Sequence, residues 1–253
     1  MSDQYLLYRL LNIANYGDDM KTDTMIAIGL INERAAIGDL SMEKLAARYY
    51  VSQPAVSRFI KKLGYRSFTA FKADLALSQY VMRQRNPSAE GADPGEALMT
   101  MADDMAKAAA CIRDLDPARV EVMLDRFSDY GSIIFLGSQL AMSIIYLLQL
   151  RLTAMGKSAY AFSSHSMQKK MIGEAKEDDL VIFISLQERW YGGLGEKRAR
   201  ACRGHTVLWT VKDHHEDEEA FDDVIHIGQI EEQNMGYHVL MGYVMTLYRT
   251  LHG

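Results

Sequence analysis

Residues 41–72 read SMEKLAARYYVSQPAVSRFIKKLGYRSFTAFK, and this stretch decides the N-terminal fold. Met42, Leu45, Ala46 and Tyr49 recur at i, i+3, i+4 and i+7, the spacing of one apolar helix face. Ser41 stands where its hydroxyl can accept a hydrogen bond from a free first-turn amide and so start that helix. Val56, Phe59, Ile60 and Leu63 repeat the spacing, with Ser52 as the second cap. Pro54 falls in the first turn, where an amide would be unpaired anyway, and Gly64 follows the last apolar residue. Only Tyr50, Val51 and Ser52 separate the two segments. Two short amphipathic helices joined by so tight a turn predict a helix-turn-helix.

The charge of the stretch names its partner. It holds seven basic residues, Lys44, Arg48, Arg58, Lys61, Lys62, Arg66 and Lys72, against one acidic residue, Glu43, in a chain of formal net charge −5. A basic island on an acidic protein calls for an anionic partner, and duplex DNA is the commonest one. The second helix is expected to enter the major groove with its N-terminal residues at the base edges. Gln53, Ser57 and Lys61 share a face opposite the apolar stripe, flanked by Arg58 and Lys62. Gln can pair bidentately with adenine and Arg with guanine. Lys61, Lys62 and Arg66 suit phosphates, which fix register without reading sequence. The predicted DNA-binding set is therefore Ser52, Gln53, Ser57, Arg58, Lys61, Lys62 and Arg66. On spacing and charge alone, a basic solvated helix pair in some other α-domain is the alternative.

A longer pattern runs through the same residues: VS-x-x-x-VSRF-x-x-KLGY, then F-x-x-FK. It is carried by Val51, Ser52, Val56, Ser57, Arg58, Phe59, Lys62, Leu63, Gly64, Tyr65, Phe68, Phe71 and Lys72. This run resembles the N-terminal domain of RpiR-type bacterial transcription regulators. Tyr50 departs from the pattern, since such turns often carry Gly. The resemblance implies a DNA-binding regulator of transcription.

At 253 residues the chain has room for one large or two ordinary domains, and a hydrophobic content of 49% excludes a mainly disordered chain. No apolar run reaches the ~18–20 residues of a membrane span. The opening MSDQYLLYRLLNIANYGDD lacks the basic region and cleavage pattern of a signal peptide. Cys111 and Cys202 form no metal or redox motif and suit free thiols in a reducing cytoplasm. The 16 methionines are expected as adaptable core packing. Residues 1–85 hold 12 basic and 8 acidic residues, whereas 86–253 hold 16 and 25, so a basic part is joined to an acidic one.

The spacing predicts helices over 4–15, 24–34 and 68–83 around the helix-turn-helix, making 1–83 an all-α DNA-binding domain. Residues 84–96, QRNPSAEGADPGE, read as a linker. Residues 97–253 form the second domain. It opens with a helix over 97–115, whose apolar stripe is Leu98, Met101, Met105, Ala108 and Ile112. After Gly131 come short apolar runs at 132–138, 158–164, 179–186, 205–211 and 223–228, separated by segments of helical length, and a closing helix over 235–252. Continuous apolar runs fit strands buried on both faces, and their alternation with helices predicts a parallel α/β sheet.

In such a sheet, ligands sit beyond the carboxyl ends of the strands at a topological switch point. Gly137 and Ser138 end the first run, Ser163 the second, and Ser185 and Gln187 the third. These five are the candidate ligand residues, although a Gly-Ser after a strand is more often only a turn and a cap. A helix-turn-helix, a linker and an α/β domain together resemble RpiR-type regulators, whose second domain is the sugar-isomerase (SIS) fold. The resemblance implies a phosphosugar or related effector bound at hydroxyl-rich loops. Because a single small helix-turn-helix has limited contact area, while two-fold pairing sets two recognition helices about one DNA turn apart, a homodimer or larger symmetric assembly held mainly by the second domain is expected. Gly137 and Ser138 match the first loop of the family. The third, normally S-x-S-G-x-T, here reads Ser185-Leu186-Gln187-Glu188-Arg189-Trp190, with Glu188 in the place of glycine. His165 and His205 show no orienting partner in the sequence, and the His214-His215 stretch reads as a solvated acidic loop. No catalytic residue, metal or cofactor is therefore expected. Two other readings remain at this point: a sugar-phosphate isomerase with an accessory helical domain, and a regulator whose SIS domain is only a dimer scaffold.

Overall fold

The computed structural model describes residues 6–16, 21–85, 93–186, 195–212, 218–230 and 235–251. The chain divides into two compact units between Ala92 and Asp93. Among the described residues no helix is long and apolar enough to cross a membrane.

The first unit is all helical: α1 (Leu6–Tyr16), α2 (Thr22–Asn32), α3 (Met42–Arg48), α4 (Gln53–Lys62) and α5 (Phe68–Arg85). A 3-10 segment over Arg34–Asp39, with no strong signal of its own in the sequence, joins α2 to α3. The expected stripes converge on one core, in which Leu10, Ile26, Leu30, Leu45, Val56, Phe59, Phe71 and Leu75 are almost fully buried. Lys72, part of the basic island, has a structural task. Its ammonium donates to the carbonyls of Gly38 and Leu40 at 2.7 and 3.1 Å and lies over the Phe68 ring.

The second unit is a three-layer α/β/α domain. Its elements are α6 (Pro94–Arg113), α7 (Ala118–Asp129), β1 (Ser132–Gly137), α8 (Gln139–Ala154), β2 (Ser158–Ala161), α9 (His165–Glu174), β3 (Asp179–Ser185), α10 (Gly195–Ala201), β4 (His205–Thr210), β5 (Asp223–His226) and α11 (Gly236–Thr250). The five strands are all parallel in the order β2-β1-β3-β4-β5. The inner strands β1, β3 and β4 bury both faces, as continuous apolar runs require, whereas the edge strands β2 and β5 are only partly buried. Ile133, Phe135, Ile182, Ile184 and Trp209 join a core with residues of α7, α8 and α11. Ile134, Leu136, Val181, Phe183 and Leu208 meet Ile172 of α9 and Ala199 of α10 on the other side. Trp209, with no exposed surface, packs edge-on against Tyr243 at 5.1 Å and Phe135 at 6.0 Å. Burial pushes the Tyr243 phenol well above its ordinary range, and its hydroxyl donates to the Arg119 carbonyl at 2.9 Å.

The helices on either side reach into the expected linker. α5 continues to Arg85, and α6 starts at Pro94 rather than near residue 97. The Asp93 carboxylate accepts from the Gly95 amide at 3.2 Å, and proline at the first helical position needs no amide partner. The Asp-Pro-Gly that reads as linker punctuation is thus a helix start. The α6 stripe also differs from expectation. Ala108 is buried, but Leu98, Met99, Met101 and Met105 are 72, 71, 46 and 58% exposed. These methionines are not core packing. Only the second half of the helix lies on the sheet domain, against α11 and the core.

Candidate functional site

The helix-turn-helix is built by its caps. Ser41 Oγ accepts from the Lys44 amide at 3.2 Å to start α3, and Ser52 Oγ accepts from the Ala55 amide at 3.3 Å to start α4. α4 ends in a Schellman arrangement: the Tyr65 amide reaches the Ile60 carbonyl, the Gly64 amide reaches that of Lys61, and Gly64 takes φ +92°. The Arg9 guanidinium of α1 donates to the Leu63 carbonyl at 3.0 Å, fixing the end of α4 to the domain.

With Val56, Phe59 and Ile60 turned inward, the opposite side of α4 is free for a ligand. Ser52, Gln53, Arg58, Lys61, Lys62 and Arg66 are all exposed, and Ser57 is half-buried. The predicted DNA-binding residues therefore lie on one helix and its flanks. Lys62 is engaged in the free protein with Asp23 of α2 at 2.7 Å, an exposed pair that a phosphate can replace. Arg48 is held by Glu33, which also accepts from the Tyr49 hydroxyl at 3.4 Å, so Arg48 supports α3 rather than extending the basic face.

The order β2-β1-β3 puts the topological switch between β1 and β3, and their carboxyl ends are the predicted ligand position. Gly137 and Ser138 close β1, Ser163 follows β2 and Ser185 closes β3, so the fold brings these three loops to one end of the sheet. Ser138 Oγ accepts from the Ala141 amide at 3.2 Å as the α8 cap and lies 3.2 Å from the Tyr237 hydroxyl of α11. Ser163 is half-buried, and Ser185 is 2% exposed. Gln187, Glu188, Arg189 and Trp190 lie outside the described residues, as do His214 and His215.

Two residues at this end give no sequence signal. Gln168 of α9, 1% exposed, donates through Nε2 to the carbonyls of Gly137 and Phe162, and its Oε1 accepts from the Gly137 amide at 3.4 Å. It ties the turn after β1 to that after β2. Tyr237 is the other, through its contact with Ser138. Gly137 itself is dictated by space: a Cβ there would stand 3.2 Å from the Ile184 carbonyl oxygen and 3.2 Å from the end of Met142.

His205 does have an orienting partner, contrary to the sequence reading. Its Nε2 lies 2.7 Å from Asp223 Oδ2, which also receives Arg126 at 2.8 Å. The pair sits at the amino ends of β4 and β5, away from the switch point, and braces α7 against the sheet. Burial pushes the Asp223 carboxyl up. The hydrogen bond from His205 and the charge and hydrogen bond of Arg126 outweigh it and hold that carboxyl below its ordinary range. Among the described residues no cluster of His, Cys, Asp and Glu has the makings of a metal site.

Residues 10–81 match the family model of the helix-turn-helix domain, rpiR family. The N-terminal unit is an RpiR-type helix-turn-helix domain. Among solved structures, the chain is similar to the NanR protein of Vibrio vulnificus in complex with ManNAc-6P. That match has 16% identity and a TM-score of 0.50, and covers 96% of this chain and 90% of the other. The sugar isomerase domain of an RpiR transcription factor from Sphaerobacter thermophilus matches at 13% identity and a TM-score of 0.50, over 60% of this chain and 87% of that one. The RpiR-type domain is therefore followed by a domain of the sugar-isomerase fold. No curated protein matches the sequence.

Proposed function

We propose that this chain is a cytoplasmic DNA-binding transcription regulator that reads duplex DNA with α4 and senses a small molecule in its α/β domain, without catalysing a reaction. The observation that carries the reading is α4. Its apolar side is locked into an RpiR-type domain, while Gln53, Arg58 and Lys61 stand exposed on the other side with no internal partner among the described residues. The effector position is the β1/β3 switch, lined by Gly137, Ser138, Ser163 and Ser185, with Tyr237 beside Ser138. Hydroxyls and amides predominate there, which suits a polyhydroxylated ligand. The ManNAc-6P complex of NanR supports an effector of the sugar-phosphate type or a derivative of one. Glu188, in the place of the family's glycine, disfavours a phosphate dianion next to the third loop.

The proposed assembly is a homodimer built on α6. The exposed Leu98 and Met101 share the first part of that helix with Glu96, Asp103 and Asp104, and the exposed Met105 stands at the edge of the groove formed by the second part. The second part forms, with α11, an apolar groove of about 530 Å³ over Ile112, Met241 and Met245, rimmed by Arg113 and Arg249. His238 lines the same groove with Nδ1 buried and unpaired among the described residues. A two-fold axis across α6 would lay the acidic, apolar half of one copy into the basic-rimmed groove of the other, matching both polarity and charge. Two-fold pairing also suits a module that reads two half-sites.

Mapping the DNA bound by the full chain in its host cells tests this function. Discrete sites sharing one inverted-repeat sequence support it; uniform background coverage contradicts it.

A further inference from the structure

We propose that Tyr50 is a DNA-contacting residue, its phenol hydroxyl donating to a backbone phosphate where the recognition helix α4 enters the groove. This rests on the DNA-binding reading above.

Tyr50 is the one non-glycine with positive φ among the described residues, at +53°. It stands just past the end of α3, and the Val51 amide reaches back to the Ala46 carbonyl at 3.0 Å. That is the Schellman position, which glycine fills because it meets no Cβ penalty. The same domain supplies the comparison: after α4 the equivalent position is Gly64, at φ +92°. A large side chain in this backbone is held against local preference, so something should compensate for it. Nothing among the described residues of the domain does. Tyr50 is 95% exposed, and among the described residues its hydroxyl has no hydrogen-bond partner.

Its surroundings have the chemistry of a phosphate site. Tyr50 lines a concavity of about 550 Å³ together with Thr22, Asp23, Ser52, Arg58 and Lys62. Two cations and several hydroxyls therefore face one space on the side of the domain that carries α4. Asp23 opposes an anion there, but it is already paired with Lys62, and the pair is exposed enough to open. Tyrosine hydroxyls commonly bind DNA phosphates, and such contacts set register without reading bases.

The full chain is titrated by fluorescence anisotropy against a duplex that it has itself selected from a random pool and against a scrambled duplex. Thermal melts are recorded in parallel. Tyr50→Asn relieves the backbone, since Asn tolerates the left-handed region, so the melting temperature should stay level or rise. Affinity should nevertheless fall on the order of tenfold, by the same factor on both duplexes. Tyr50→Phe should reproduce that loss. The slope of log affinity against log salt should not change, because a neutral hydroxyl releases no counterion. Parent-like binding by both variants overturns the assignment. So does a loss confined to the selected duplex, which would mean a base contact, and so does a loss that tracks a lower melting temperature. Arg58→Ala separates the two levels. If it weakens binding to the selected duplex more than to the scrambled one while the Tyr50 variants bind normally, the DNA-binding reading stands and this one falls. If the parent selects no duplex, both fall.

Discussion

The Tyr237 hydroxyl lies 3.2 Å from Ser138 Oγ and so joins α11 to the turn after β1. Ser138 keeps its capping bond to Ala141 independently. Tyr237→Phe should therefore leave stability within about 1 kcal/mol of the parent while weakening effector binding on the order of tenfold. Calorimetric titration with a panel of hexose phosphates, neutral polyols and amino sugars checks it.

The same panel tests Glu188. Charge repulsion costs on the order of 1–4 kcal/mol at short range, depending on screening. The parent should favour a neutral or amino sugar, and Glu188→Gly should raise affinity for hexose phosphates. Tight hexose-phosphate binding that ignores this substitution would contradict the reading of the third loop.

Gln168→Leu should destabilise the α/β domain by about 1–3 kcal/mol, because the hydrogen bonds of Gln168 to the buried Gly137 carbonyl and amide and to the Phe162 carbonyl are lost. Urea unfolding reads this as a lower midpoint at an unchanged slope.

Asp223 gives the domain an acid-side dependence. Its carboxyl is held below the ordinary range in the fold, so the unfolded chain binds the proton more readily. The contribution is present above the unfolded pKa of about 4 and is lost as pH falls through the lower folded value. Unfolding midpoints of the parent should drop across this window, and Asp223→Asn should flatten the drop. Equal slopes in the two proteins would contradict the role given to His205 and Arg126.

Met105→Glu, which puts a charge into the exposed stripe of α6, should convert the proposed dimer to monomer in sedimentation at micromolar concentration. Far-UV circular dichroism should be unchanged. A parent that sediments as a monomer would exclude the α6 interface.

What could be read in the sequence was local. The caps Ser41 and Ser52, the apolar stripe of α4 and the stop at Gly64 act within a turn or two of chain, and the structure reproduces them. The parallel sheet was readable because buried strands are apolar throughout. Its strand order was not, since it depends on how helices pack across the faces. Gln168 and Tyr237 escaped because each acts on residues far away in the chain, Gln168 on Gly137 and Tyr237 on Ser138. Asp93-Pro94-Gly95 misled because the same residues serve turns and helix starts. The exposure of Met101 and Met105 was hidden because an apolar stripe looks alike whether it meets a core or a second copy of the chain.

The most direct measurement of the central claim is binding of the full chain to its selected duplex, compared with Arg58→Ala. The Arg58 guanidinium is exposed on α4 and holds the fold to nothing among the described residues. Its loss should cost about 1–3 kcal/mol on the selected duplex and relax preference at one base position, with the melting temperature unchanged. An Arg58→Ala protein that binds selected and random duplexes as the parent does would show that α4 is not the reading helix.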